Sequence, residues 1–215
     1  MRATFAFDWV TVASLATAGA TLVLAFATFA AVRSANRAAR TAERALLVGL
    51  RPLLLTSRPQ DESQKVTWQD EHYTRLPGGR GAVEVVDGNI YMAISLRNAG
   101  SGAAVLDAWY LWTELEYGRQ PQPDTSEFRH LTRDLYVPPG DIGFWQGAVR
   151  EMEDPLRAPL LAAIGARNRM MVDVLHGDQE GGNRTITRFA LTPLPDDGYL
   201  ATTSRQWYLD RDDPR

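Results

Sequence analysis

From Trp9 to Val32 the chain carries no charged residue. As a helix rising 1.5 Å per residue, this run reaches about 35 Å, slightly more than the hydrocarbon core of a bilayer. It is built from Ala, Leu, Val and Phe, with scattered Ser and Thr whose hydroxyls can bond back to their own helix. Trp9 stands at one end, where an interfacial aromatic belongs. The pattern predicts a transmembrane helix. It continues past the apolar run, because 34–50 is rich in Ala, Arg and Leu and contains no proline. Pro52 ends it, since the residue before a proline is pushed toward extended backbone.

The period changes after Pro52. Short apolar runs alternate with Gly, Pro, Asn and Asp, which predicts strands and turns. Strands are expected at 53–56, 66–73, 83–86, 90–96, 105–117, 135–137, 142–149, 170–175, 184–192 and 199–209. Asp87-Gly88-Asn89 is a hairpin signal, and Pro138-Pro139-Gly140-Asp141 and Asp178 to Asn183 are turns. One helix interrupts the strands over 153–164. Asp154-Pro155 opens it, Leu156, Leu160, Leu161 and Ile164 form its apolar stripe, and Gly165 stops it. The expected fold is mainly β: residues 1–51 form a transmembrane helix continuing into a basic juxtamembrane helix, and residues 52–215 form an immunoglobulin-like antiparallel β-sandwich with one short inserted helix.

Charge refines this division. The whole chain is at −3, but Arg33, Arg37, Arg40, Arg44 and Arg51 crowd the end of the apolar run against Glu43 alone. From Pro52 onward 17 basic residues face 24 acidic ones, a balance of −7. An acidic domain repels phosphate backbones, so nucleic acid is excluded as a partner. Arginine-rich flanks stay in the cytoplasm. The expected topology is therefore single-pass in the inner (plasma) membrane, N-terminus out and β domain cytoplasmic. A cleaved signal peptide is the rival reading, and small residues near the end of the run (Ala27, Ala30, Ala31) would permit cleavage. The run is longer than a signal's apolar region, and only Arg2 precedes it. Arg33, Arg37, Arg40 and Arg44 recur at helical spacing and line one face. They are the candidate membrane-surface contacts with anionic headgroups; the plainer reading is a topology signal on a solvated face.

The segment Ser95-Leu96-Arg97-Asn98-Ala99-Gly100-Ser101-Gly102-Ala103-Ala104 is a strand ending in Asn-x-Gly-x-Gly-x-Ala. Together with the 40–44 arginine segment and the Pro138-Pro139-Gly140 turn, it resembles bacterial single-pass membrane proteins of unknown function that join a transmembrane helix and an arginine-rich helix to a small β-sandwich. The resemblance implies fold and anchoring and supplies no catalytic residue. Physically, Gly100 and Gly102 permit positive φ, and Asn98 can bond the backbone of a turn.

Candidate chemistry is sparse. With no cysteine, disulfides, thiolate metal sites and cysteine nucleophiles are excluded. His72 and His130 sit in polar surroundings. His176 belongs to Asp173-Val174-Leu175-His176-Gly177-Asp178-Gln179-Glu180, where a strand puts Asp173 and His176 on opposite faces, so a metal reading is poor. No Gly-x-Ser-x-Gly elbow occurs, and carboxylates such as Glu151, Glu153 and Asp154 fall in turns. Trp68, Trp109, Trp112, Trp145 and Trp207 are read as core, with a binding patch as the sharper alternative. Trp109 and Tyr110 must face opposite sides. No catalytic, cofactor-binding or metal residue is assigned, and no cofactor is expected. The expectation is a non-enzymatic interaction or scaffold module partnered by the lipid bilayer and another protein. The alternative is an exported, membrane-tethered domain binding a glycan or cation. The oligomeric state is left open.

Overall fold

The structure, a computed structural model, describes residues 9–113 and 121–210, with only the backbone of 44–48. It divides into two units, 1–47 and 48–215. The first is occupied by α1 (Trp9–Gly49), whose described side chains are exposed. Ser14, Thr17, Thr21 and Thr28 each bond the carbonyl four residues back, so these four hydroxyls are satisfied within the helix itself. Trp9–Glu43 has the length and composition of a membrane span, which a signal sequence near an N-terminus also has.

The second unit contains β1 (Leu54–Thr56), β2 (Gln64–Thr67), β3 (Tyr73–Leu76), β4 (Arg80–Val86), β5 (Asn89–Asn98), β6 (Ala104–Trp112), β7 (Arg129–Val137), β8 (Ile142–Val149), α2 (Arg157–Gly165), β9 (Met170–Gly177), β10 (Thr185–Pro193) and β11 (Tyr199–Tyr208). Most match the expected runs, and three do not. The run 66–73 is two strands, because positive φ at Glu71 turns β2 back on β3. β7 starts at Arg129, six residues before the apolar stretch that announced it. Residues 114–120, which hold the last four residues of the expected 105–117 strand, lie outside the described residues.

In place of the expected immunoglobulin-like sandwich of two sheets, nine strands join one sheet in the order β1-β5-β4-β11-β10-β9-β6-β7, with β8 on the other side of β5. It curls into a half-barrel. Register shifts between Leu106 and Ala108 and between Arg188 and Phe189 accompany the curl; such bulges add twist and bend a strand. The curled sheet buries both faces. Ile90, Met92, Ile94 and Leu96 of β5 enter the main core with Trp109, Trp145, Phe189 and α2's Leu160. Tyr91 and Ala93, on the other face, pack with Val66, Trp68 and Leu76 of the β2–β3 hairpin. A third cluster joins Ala108, Leu175, Ile186 and Trp207 to Phe128. This explains why β10, whose sequence alternates, is buried at seven consecutive positions.

α2 forms as a short version of the expected helix. Asp154 accepts from the Leu156 N–H at 2.9 Å, and Pro159 lies in the first turn, where its missing N–H costs little.

Candidate functional site

Three places in the β domain hold polar groups in unusual settings. The first is where the chain leaves α1. The Asn98 side chain accepts from Leu53 N at 3.1 Å and Gly100 N at 2.9 Å, and donates to Gly102 O at 2.7 Å and Val137 O at 3.0 Å. One buried amide thereby ties four backbone groups from three segments. The glycines serve close approach, not positive φ: neither has φ in the left-handed region. A Cβ on Gly100 would lie 2.4 Å from Arg51 O, and one on Gly102 would lie 1.7 Å from Leu50 O. The Asn-x-Gly-x-Gly turn is a socket for residues 50–53. Beside it the Arg51 side chain donates to Asn183 Oδ1 at 2.9 Å, pairs with Asp210 at 3.5 Å and lies over the Tyr208 ring. His176, fully buried, has Nε2 2.9 Å from Thr187 Oγ1. Burial, reinforced by the charge of Arg51, lowers its pKa to about 3, so the ring is neutral.

The second is a buried ion pair. Arg188 donates to both oxygens of Asp173 at 2.7 Å and to Pro121 O at 3.0 Å, while Trp112 Nε1 donates to Asp173 at 2.7 Å. The guanidinium lies over the rings of Trp112 and Trp207. Burial pushes the Asp173 carboxyl up against the pull of Arg188. Arg188 and Asp173 face each other in the β10–β9 register, and removing one partner of such a buried pair costs more than replacing both by apolar groups.

The third is a cleft of ≈ 200 Å³ between β7 and β8. Its walls include Trp68, Trp109, Arg129, Arg133, Gln146 and Arg150. Trp68 is fixed by donating its Nε1–H to Gly147 O at 3.1 Å. Arg129 forms a two-bond pair with Asp154 at 2.5 and 2.6 Å, which holds that carboxyl below its usual range. Arg150 pairs with Asp70 at 2.9 Å and draws its pKa down to about 2. Arg133 donates instead to Gln146 Oε1 at 3.0 Å and Thr67 O at 3.2 Å.

Comparison with known proteins adds no family. No family model matches the chain, and no curated protein does. Among solved structures, a protein from Archaeoglobus fulgidus aligns over 60% of this chain and 92% of its own, at 11% identity and a TM-score of 0.24.

The residues singled out from sequence are dispersed. Arg33, Arg37 and Arg40 are exposed on α1; the side chain of Arg44 lies outside those described. Asp173 and His176 diverge as expected, one toward Arg188 and the other toward Thr187. His130 is exposed, whereas His72 stacks on Tyr91 at 4.1 Å and pairs with Glu84. Trp68, Trp109, Trp145 and Trp207 are all buried, and Trp109 and Tyr110 do face opposite sides, each covered. Among the described residues, no group of three or more His, Asp or Glu side chains is placed to hold a metal ion. Sequence reasoning missed Arg129, Arg133 and Arg150. Their only signal was Arg129 and Arg133 four residues apart on polar β7, with Arg150 just past the end of β8.

Proposed function

We propose that this chain is a non-enzymatic, single-pass membrane protein whose β domain serves, at the cytoplasmic face, as an interaction or scaffold module for another protein. The observation that carries the reading is the exposed, uncharged apolar surface of α1 from Trp9 to Val32, within a stretch of membrane-span length and composition, which water would not tolerate and lipid would. The arginines that follow it favour the cytoplasmic side, and Arg33, Arg37, Arg40 and Arg44 are placed to meet anionic headgroups there. A non-catalytic role is supported by how the titratable groups are spent. Asp173, Asp154 and Asp70 are committed to arginines, and His176 is sealed from solvent.

The exported ligand-binding alternative rests on the cleft between β7 and β8. Its arginine lining suits neither a cation nor a neutral glycan as well as it suits an anion.

Cysteine labelling tests the topology. Gln179 is exposed in the β9–β10 turn, and the chain has no cysteine of its own. Gln179→Cys in intact cells is expected to resist a membrane-impermeant maleimide until the cells are broken. Labelling of unbroken cells would move the domain to the outer face. A pull-down from detergent extract that returns no partner under any growth condition would count against the scaffold role.

A further inference from the structure

The nine-stranded sheet is open on one side. β7 and β8 are consecutive strands joined by only the four residues 138–141, which ordinarily makes a hairpin. Here they do not pair: β7 is bonded to β6 and β8 to β5. The cleft of ≈ 200 Å³ lies in the seam between them. Its lining includes three guanidinium groups and no carboxylate, although the domain from Pro52 onward is acidic by seven charges. Carboxylates do reach two of the three: Asp154 neutralises Arg129 and Asp70 neutralises Arg150. Arg133 uses Nη2 for Gln146 and Thr67 and has no carboxylate partner among the described residues. The seam therefore presents one uncompensated positive charge, held by two neutral acceptors, beside Trp68, Trp109 and Leu135.

We propose that this seam binds a small organic carboxylate. Both hydrogens of Arg133 Nη2 are spent on Gln146 and Thr67, so a carboxylate is met by charge-assisted hydrogen bonds from Nη1, and a single uncompensated charge matches a monoanion. Trp68, Trp109 and Leu135 supply the apolar wall for the rest of the molecule. The cleft is smaller than the roughly 300–1,000 Å³ of drug-sized sites, so the ligand is a small one. An added peptide strand fits less well, because Trp68 already occupies the Gly147 carbonyl on β8. The site does not depend on which face of the membrane carries the domain, so it stands or falls apart from the topology.

Calorimetric titration of the full chain in phosphatidylcholine nanodiscs with benzoate tests it. Saturable binding is expected, weakened about tenfold or more in Arg133→Gln, the loss of a charged hydrogen-bonding group. Arg133→Lys, which keeps the charge but loses the planar donor set held in place by Gln146 and Thr67, should fall between. Arg58→Gln, an exposed arginine outside the cleft, should bind like the parent. Arg133 is itself exposed, and an unchanged thermal midpoint will show that the variant is folded. Absence of saturable heat up to about 10 mM benzoate, where even millimolar affinity would register, overturns the proposal. So does equal affinity in Arg133→Gln, or binding of inorganic phosphate without binding of benzoate.

Discussion

His176 shows how one buried side chain sets a pH limit. Its folded pKa, about 3, lies far below the ordinary histidine value of about 6.5. The unfolded chain therefore takes up the proton first, and stability falls as pH drops from about 6.5 toward 3. Over pH 7 to 5 the loss is about 2 kcal/mol, from 1.36 kcal/mol per unit of pKa difference. Urea unfolding followed by tryptophan fluorescence should show that loss in the parent. It should shrink in His176→Gln, which cannot titrate. Equal pH slopes in the two proteins would mean that His176 is solvated. Asp70 acts lower on the scale: held near 2 by Arg150, its pair contributes above about pH 4 and is lost as pH falls through 2.

At the scale of elements, the socket around Asn98 joins the chain after α1 to β5 and to the end of β7. Its glycines are irreplaceable for a steric reason that depends on what lies against them. Gly102→Ala puts a Cβ into the Leu50 carbonyl, and the expected cost is about 3 kcal/mol, the upper range for forcing atoms into packed backbone. Residues 50–53 should then be displaced, read as faster hydrogen exchange at the Leu53 and Ala99 amides, which bond across the socket, together with a lower Tm. Gly165→Ala is the control. Nothing lies within 4 Å of its added Cβ, and it ends α2 without positive φ, so it should be neutral or slightly stabilising. Matching losses in both variants would remove the steric argument.

At the scale of the molecule, the curled sheet is unevenly joined. β5 and β8 share eight paired positions, and β10 is paired along its length on both sides. β4 and β11 share two pairs only, Tyr199 with Gly81 and Leu200 with Arg80. Farther along β11, side chains bond it to β1 instead, through Thr203 to Thr56 N and Gln206 to Leu54 O. Local opening follows the weakest ladders. Hydrogen exchange read by mass spectrometry should therefore find peptides from β4 exchanging before those from β9 and β10, which are paired on both sides. Equal protection of β4, β9 and β10 would show that the two-pair β4–β11 ladder does not limit local opening.

Much of this molecule was legible in the residues. The apolar run and its arginine flank gave α1 and its end before Pro52. Asp87-Gly88 gave the β4–β5 hairpin, with φ of 49° and 81° at its two central residues, and Asp154 and Gly165 gave α2 to within a few residues. These are local: turn chemistry and periodicity act over a few neighbours, and a single sequence records them. The choice of one curled sheet over two packed ones was not local. Every strand offers the same backbone bonds, so nothing in β7 or β8 announces that they refuse each other and pair with β6 and β5. The bulge near Asp107 moves Leu106 and Ala108, which share parity, into different clusters, and no alternation rule anticipates it. Gly100 and Gly102 were legible as a turn, but their purpose depended on the chain 50 residues earlier. Arg133 reads as one more polar residue on a polar strand. Its uncompensated charge exists only because folding sets it in an unpaired seam, where the neighbouring carboxylates have gone to other arginines.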